Sequence, residues 1–300
     1  MLDIAEHVRH RPHAQRLRKR KGRRLRAIKP SKAAYVWYWN RMSDLVDKCR
    51  RIVTQELRRV PESKGAMDAS PYSNALRNIR EAFAGLKKEA RGLADAASKR
   101  ALFWVDDRLA KEVARSIRID IRPALSTHGE VMGQFKEMTD WNVRLIQSIP
   151  DRLLDDLEEK LITAWSSGDR VRGITEIVED VANDADVNAK RIARDQISKM
   201  NAAYNMVRQR EVGIRRYIWQ TAGNERVRGN PNGLYPDAVS NHFQFDGQEF
   251  SWDEPGPCKG TIDGEPCHPG QDILCNCTAI PVFDLDALEA EVAQAESEQS

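Results

Sequence analysis

Residues 187–221 read VNAKRIARDQISKMNAAYNMVRQREVGIRRYIWQT, and within this stretch the chain changes character. Up to Glu211 the apolar residues Ile192, Ile197, Met200, Tyr204 and Val207 recur at helical spacing, which gathers them on one face. Gly213 closes that helix, and Tyr217-Ile-Trp-Gln-Thr221 then has the β-branched and aromatic composition of a strand. A long helix handing over to a short strand predicts an α+β protein. It has an extended, mainly helical N-terminal region followed by a compact module with a long helix and a few short antiparallel strands.

Upstream the pattern is helical. Met42, Leu45, Val46, Cys49, Ile52, Val53 and Leu57 make one stripe, ended by Pro61, and Cys49 in that stripe reads as core. After a start near Asp68, Leu76, Ile79, Phe83, Leu86, Ala90, Leu93 and Ala97 repeat with 3-4 spacing, and Leu102, Val105, Leu109, Val113 and Ile117 continue it. Pro123 and Gly129 mark a loop or hinge. Ser148-Ile-Pro150 predicts a new helix opening, with Pro in its first turn and Leu153, Leu154, Leu157, Leu161, Ile162 and Trp165 buried up to Gly168. A shorter helix bearing Ile174, Ile177, Val178 and Val181 follows, and a domain boundary is expected near Ala185. Downstream, residues 214–283 hold four of the five cysteines, eight of the 17 Gly and seven of the 13 Pro, and they predict a hairpin of Phe243–Trp252 around Asp246-Gly247 and a last strand from Ala279 to Phe283.

The charge is divided between the two ends. Residues 1–30 carry eleven Lys and Arg against two acids, a net of +9, whereas residues 284–300 carry six acids and no cation. A run of like charge with little apolar periodicity repels itself and stays unfolded until it meets a polyanion. Residues 1–34 are therefore read as a basic disordered arm, 35–185 as the helical region, 186–283 as the compact module and 284–300 as an acidic tail. Arg16, Arg18, Lys19, Arg20, Lys21, Arg23, Arg24 and Arg26 are the candidate nucleic-acid ligands, by counterion release and without sequence preference. A solvated tail, or an arm that docks on an acidic protein face, is the other reading. No apolar run approaches the roughly 20 residues that span a bilayer, and Met1 is not followed by a signal-peptide pattern, so no membrane partner is expected.

The order Ile192-Ala-Arg-Asp-Gln196, Tyr217-Ile-Trp-Gln-Thr221, Glu225-Arg-Val-Arg228, His242, Asp246-Gly247, Phe250-Ser-Trp252, His268-Pro-Gly-Gln-Asp-Ile273, Cys275-Asn-Cys277 and Pro281-Val-Phe283 resembles the Mu-F-like minor head proteins, also called phage head morphogenesis proteins. The likeness covers roughly 187–283. Asn224 and Asn276 depart from the usual family residues, residues 229–241 lengthen a loop, and the segment from Cys258 to Cys267 is an insertion that brings two cysteines of its own. The resemblance implies a minor capsid protein of a tailed bacteriophage, associated with the portal protein or major coat protein in the capsid interior and assembled in the host cytoplasm. It implies no enzyme. The runners-up are a DNA-binding accessory protein ejected with the genome and, by fold analogy, a toxin-type enzyme. Neither a phosphate-cradling Gly-rich loop with Lys-Ser/Thr nor a His-Glu-x-x-His motif is present.

Two sets of soft donors satisfy the chemistry of a structural zinc, which prefers four thiolates and imidazoles in a tetrahedron. One is Cys258, Cys267, Cys275 and Cys277. The other, on family positions, is His242, His268, Cys275 and Cys277. Disulfides formed after release, or plain packing of reduced thiols, are the competing readings. Arg226, Arg228 and Asp246 are candidate partner contacts, since Arg forks bind carboxylates bidentately. Internal pairing with acids such as Asp253 or Glu254 is the opposing expectation.

Overall fold

The computed structural model describes residues 23–60, 70–118, 120–125, 129–167, 172–262 and 264–284. In chain order the elements are strand β1 (Arg23–Arg24), helices α1 (Lys32–Arg58), α2 (Ser70–Lys87), α3 (Ala90–Ile117), the one-turn α4 (Arg122–Leu125), α5 (Gly129–Ser167) and α6 (Arg172–Glu211). Strands β2 (Arg216–Gln220), β3 (Glu249–Ser251), β4 (Cys258–Lys259), β5 (Pro266–Cys267) and β6 (Thr278–Phe283) follow. A single turn of 3₁₀ helix at Phe243–Phe245 precedes β3. The expected α+β composition, helical first and stranded later, is what the chain forms. No described helix is long and apolar enough to cross a membrane.

The described residues form two compact units, one within 32–98 and 137–196 and one within 23–31, 99–136 and 197–284. The regular elements described in the first are helices. Its core is the stripe read from the sequence, with Met42, Leu45, Val46, Cys49, Val53 and Leu57 buried on α1, joined by Ile79, Phe83, Ala90 and Ala97. Burial pushes the Cys49 thiol up to about 12, as expected of a cysteine that packs as a small apolar residue. Inside this unit Tyr38 donates to Asn142 Oδ1 at 2.8 Å, and Asn142 Nδ2 donates in turn to the Met138 carbonyl at 2.7 Å.

Three helical expectations are corrected. The 3-4 stripe from Leu76 to Ala97 crosses a break, because α2 ends at Lys87 and α3 begins at Ala90. Helix α5 starts at Gly129 and runs through Pro150, which lies in its interior. A proline N–H is missing there, but Ile146, Ile149, Leu153, Leu154, Leu157 and Leu161 are all buried, so packing of the apolar face outweighs one lost backbone bond. Ile162, expected inside, is exposed, and the side chain of Trp165 lies outside the described residues. Helix α6 runs through residues 183–187 without a break.

In the second unit a four-stranded antiparallel sheet has the order β1-β6-β2-β3. β2 pairs with β6 from Arg216↔Val282 to Gln220↔Thr278, and with β3 from Arg216↔Ser251 to Ile218↔Glu249. The hairpin expected around Asp246-Gly247 does not form. The Gly247 N–H donates to the Trp219 carbonyl and the Trp219 N–H to the Gln248 carbonyl, each at 2.8 Å, so β2 itself is the partner of this segment. The arm is also shorter than expected. Arg23 and Arg24 pair with Phe283 and Val282, and Leu25 and Ile28 are buried, so residues 23–34 belong to the fold. Residues 1–22 and 285–300, which hold most of the basic arm and acidic tail, lie outside the described residues.

The C-terminal half of α6 is tied to this unit by side chains. Asn201 Nδ2 donates to the Ile28 carbonyl at 2.8 Å, Trp252 Nε1 to Gln209 Oε1 at 2.9 Å, and Arg208 grips Asp106 with two bonds of 2.7 and 3.0 Å.

Candidate metal centre

Tyr217 and Trp219 on β2 and Trp252 just past β3 are buried together with Cys258, Cys267, Cys275 and Cys277. Alternation along β2 does not separate an inner from an outer face here, because Tyr217, Ile218 and Trp219 are all buried. β4 and β5 form a two-residue ribbon with Cys258 directly opposite Cys267. Gly256 is required beside it, since a Cβ at that position would overlap the backbone carbonyl of Cys267. Cys275 and Cys277 come from the turn before β6. Leu274, immediately ahead of them, holds a left-handed φ of 52°, a strained conformation for a residue with a side chain. All four cysteines are free and buried.

The ligand atoms of His242, Cys275 and Cys277 lie within 4.8 Å of one another. His242 Nδ1 is 3.3 Å from Cys275 Sγ and 3.7 Å from Cys277 Sγ. The other ring nitrogen, Nε2, faces Ser240 Oγ at 2.9 Å and Asp272 Oδ2 at 3.3 Å. Ser240 Oγ donates to Asp272 at 3.0 Å and also lies 3.2 Å from Cys258 Sγ, which brings the β4 cysteine against the same histidine. His268 is elsewhere. Its Nδ1 is 2.8 Å from the Tyr217 hydroxyl and its ring packs on Trp252 at a centroid distance of 5.0 Å. The structure therefore brings together members of both expected donor sets, with His242 beside the cysteines and His268 apart.

Asp272 is the hub. Its oxygens accept from the Thr261 N–H at 3.0 Å, the Thr261 hydroxyl at 2.7 Å and the Ile273 N–H at 2.7 Å, and the guanidinium of Arg228 pairs with it while also donating to the Ile273 carbonyl. Burial disfavours its charge, but the hydrogen bond from His242, those from Thr261 and the Arg228 cation outweigh burial and hold the carboxyl far below its ordinary range. Burial likewise favours neutral His242, yet hydrogen bonds to Asp272, Cys258 and Cys275 push its pKa up to about 11. The thiols split within each pair. The hydrogen bond from Cys267 holds Cys258 down to about 5 against the cost of burial, and that from Cys277 holds Cys275 well below the thiol range. Cys267 and Cys277, the donors, go up. One proton is thus shared within each pair, and the cluster gathers negative charge around a histidine. The buried indole N–H of Trp219 has no conventional acceptor, and it acts on the Cys277 sulfur in the sense that favours thiolate. Thiolates converging on an imidazole suit a tetrahedral metal ion.

The other candidate residues separate. Arg228 is engaged internally, on Asp272, while Asp253 is held by Arg210 and Arg215. Arg226 is exposed, and its backbone N–H donates to Asn224 Oδ1 at 3.1 Å. Asp246 is exposed and accepts the Thr221 N–H at 2.7 Å. Arg16, Arg18, Lys19, Arg20 and Lys21 lie outside the described residues, whereas Arg24 and Arg26 are exposed at the β1 edge. Sequence reasoning missed Ser240, Thr261 and Asp272. The trace that the last left in the sequence was its place in the His268–Ile273 motif.

The family of Phage Mu protein F like proteins matches residues 155–280. That match bears out the resemblance and begins earlier than expected, in α5, so it includes the whole of α6. An uncharacterized protein of Haemophilus influenzae is 26% identical over 279 residues, which cover 91% of this chain and 58% of that protein. The chain thus spans 58% of the length of the curated relative it matches. No solved structure matches the chain.

Proposed function

We propose that this protein is a minor head protein of a tailed bacteriophage, built into the capsid during head assembly through contact with the portal protein or the inner face of the coat. The observation that carries the proposal is the match of residues 155–280 to the Mu F-like family. Arg228, His242, Cys275 and Cys277, which the resemblance had picked out along the chain, meet Asp272 in one buried cluster. A buried cluster of this kind stiffens the loops around it, and stiff loops present contacts. Exposed Arg226 and Asp246, on loops of this unit, are the contacts we assign to the partner. The role is structural, with no bond made or broken, and His242, Cys275 and Cys277 serve as donors to a structural zinc ion. The protein then resides in the virion interior near the portal vertex.

The basic residues before β1 engage packaged DNA as a secondary contact. A second reading, an accessory protein whose main task is to bind DNA and leave with it, is favoured by the net charge of +9 in residues 1–30. Affinity capture from infected cells separates the two. Recovery of portal or coat protein after exhaustive nuclease digestion supports the assembly role, and loss of all partners on digestion overturns it in favour of the DNA-binding reading.

A further inference from the structure

Cys258 and Cys267 stand outside the group of donor atoms that converges at His242 Nδ1, which consists of His242, Cys275 and Cys277. They are a matched pair of their own. We propose that these two cysteines form a redox-convertible cross-strand disulfide, reduced as the chain folds and closed when the protein meets an oxidising environment, and that this bond is separate from the metal site.

The pairing rests on the ribbon. β4 and β5 are antiparallel, with Cys258 directly opposite Cys267. Opposed residues of such a ladder have Cα atoms about 4.5–5.5 Å apart and side chains on one face. A disulfide spans Cα separations of about 4.4–6.8 Å, so the register suits one. It is held beyond the cysteines, since Lys259 faces Pro266 and the Gly260 N–H donates to the Glu265 carbonyl at 2.8 Å. The sulfurs are already in contact, the Cys267 thiol donating to Cys258. Other partners lie elsewhere. Cys275 and Cys277 face His242 Nδ1, whereas Cys258 meets that ring at its opposite edge, through a Ser240 hydroxyl 3.2 Å from its sulfur and 2.9 Å from Nε2.

A ribbon of two residues per strand has little stability of its own. It nevertheless presents Thr261, whose N–H and hydroxyl bond to Asp272 at 3.0 and 2.7 Å. A Cys258–Cys267 bond restricts the unfolded chain and holds Thr261 on that carboxylate. The setting, though not the pairing, rests on the head-protein reading: such a protein is assembled in a reducing cytoplasm and released into an oxidising exterior, where the bond acts as a lock.

The step balances as exchange with a low-molecular-weight disulfide of the glutathione class. One cysteine, as thiolate, attacks a sulfur of that molecule, forming a mixed disulfide and expelling one small thiolate. The other cysteine, deprotonated in turn, attacks the protein-side sulfur and expels the second. Two electrons pass from the pair to the small disulfide, and the two cysteine protons end on the two thiols released. Both cysteines are buried, so the exchange proceeds through local opening of the ribbon.

The test equilibrates the full-length protein in buffers of rising oxidised-to-reduced glutathione ratio, followed by alkylation and peptide mapping without reductant. One internal disulfide should appear, joining Cys258 to Cys267, with Cys275 and Cys277 recovered as thiols. The oxidised protein should melt a few degrees above the reduced one, and Cys258→Ser and Cys267→Ser should each abolish that shift. Zinc content, measured alongside, should not change on oxidation. A disulfide within Cys275–Cys277 or between the two pairs, or no disulfide in oxidised glutathione alone, overturns the pairing. Release of zinc in step with oxidation overturns the separation from the metal site. Absence of zinc before oxidation ends the zinc reading, while the mapped bond still supports the pairing. The same mapping on infected cells and mature virions should find thiols in the first and the bond in the second; thiols in both overturn the lock. Mapping of the wild type decides the pairing even if a variant fails to fold.

Discussion

Arg226 and Arg228 stand two positions apart in one loop and do unlike things in the fold. Arg228 is partly buried and pairs with a carboxylate that is 4% exposed, whereas Arg226 stands in solvent. Removing one member of a buried, hydrogen-bonded pair strands the other, at a cost of roughly 3–5 kcal/mol. Arg228→Ala should therefore lower the denaturant midpoint steeply, and Arg226→Ala should shift stability by no more than about 0.5 kcal/mol while weakening capture of the partner. Equal effects of the two substitutions on stability would contradict the separation of roles. At this scale the cysteines and His242 were legible as candidate donors, because thiolate and imidazole are the side chains that suit a soft metal ion. Asp272 was not, since one acid among many is told apart only by the Thr261, Ser240 and Arg228 groups that folding brings to it.

At the scale of elements, the ribbon of β4 and β5 depends on a backbone approach that no side chain permits. A Cβ on residue 256 would collide with the carbonyl of Cys267, and backbone cannot step aside as a flexible side chain can. Gly256→Ala should destabilise the protein by about 1–3 kcal/mol. Thermal unfolding checks this, and an unchanged midpoint would contradict the need for glycine at position 256. Helical periodicity revealed α1 and the C-terminal half of α6 directly, since their buried faces repeat every three or four residues. It failed at Pro150 because proline in a first turn and proline inside a helix carry the same local signal, and only the packing of Ile146 and Ile149 before it decides. It failed at Asp246-Gly247 because the turn signal was right but the strand that receives it, β2, is distant in sequence.

At the scale of the whole molecule, the basic arm divides at β1. Seven of its eleven cations precede residue 23, outside the described residues, and the remainder lie in or just after the edge strand that pairs with β6. Deleting residues 1–22 should leave folding intact and reduce DNA affinity, with the slope of log affinity against log salt flattened by up to about 0.9 for each phosphate no longer neutralised. Deleting residues 1–29 should also destabilise the fold, because it removes β1 together with buried Leu25 and Ile28. An unchanged salt slope in the shorter deletion would deny the arm its role. The charge asymmetry was legible from composition alone; its division was not, because strand pairing between residue 23 and residue 283 is a long-range event.

The assembly role is tested most directly by quantitative mass spectrometry of the producing phage, comparing heads isolated before DNA packaging with mature virions. This protein should be present in both, at a constant ratio to the portal protein. Its absence from unpackaged heads, with appearance only once DNA is inside, would contradict a part in building the head.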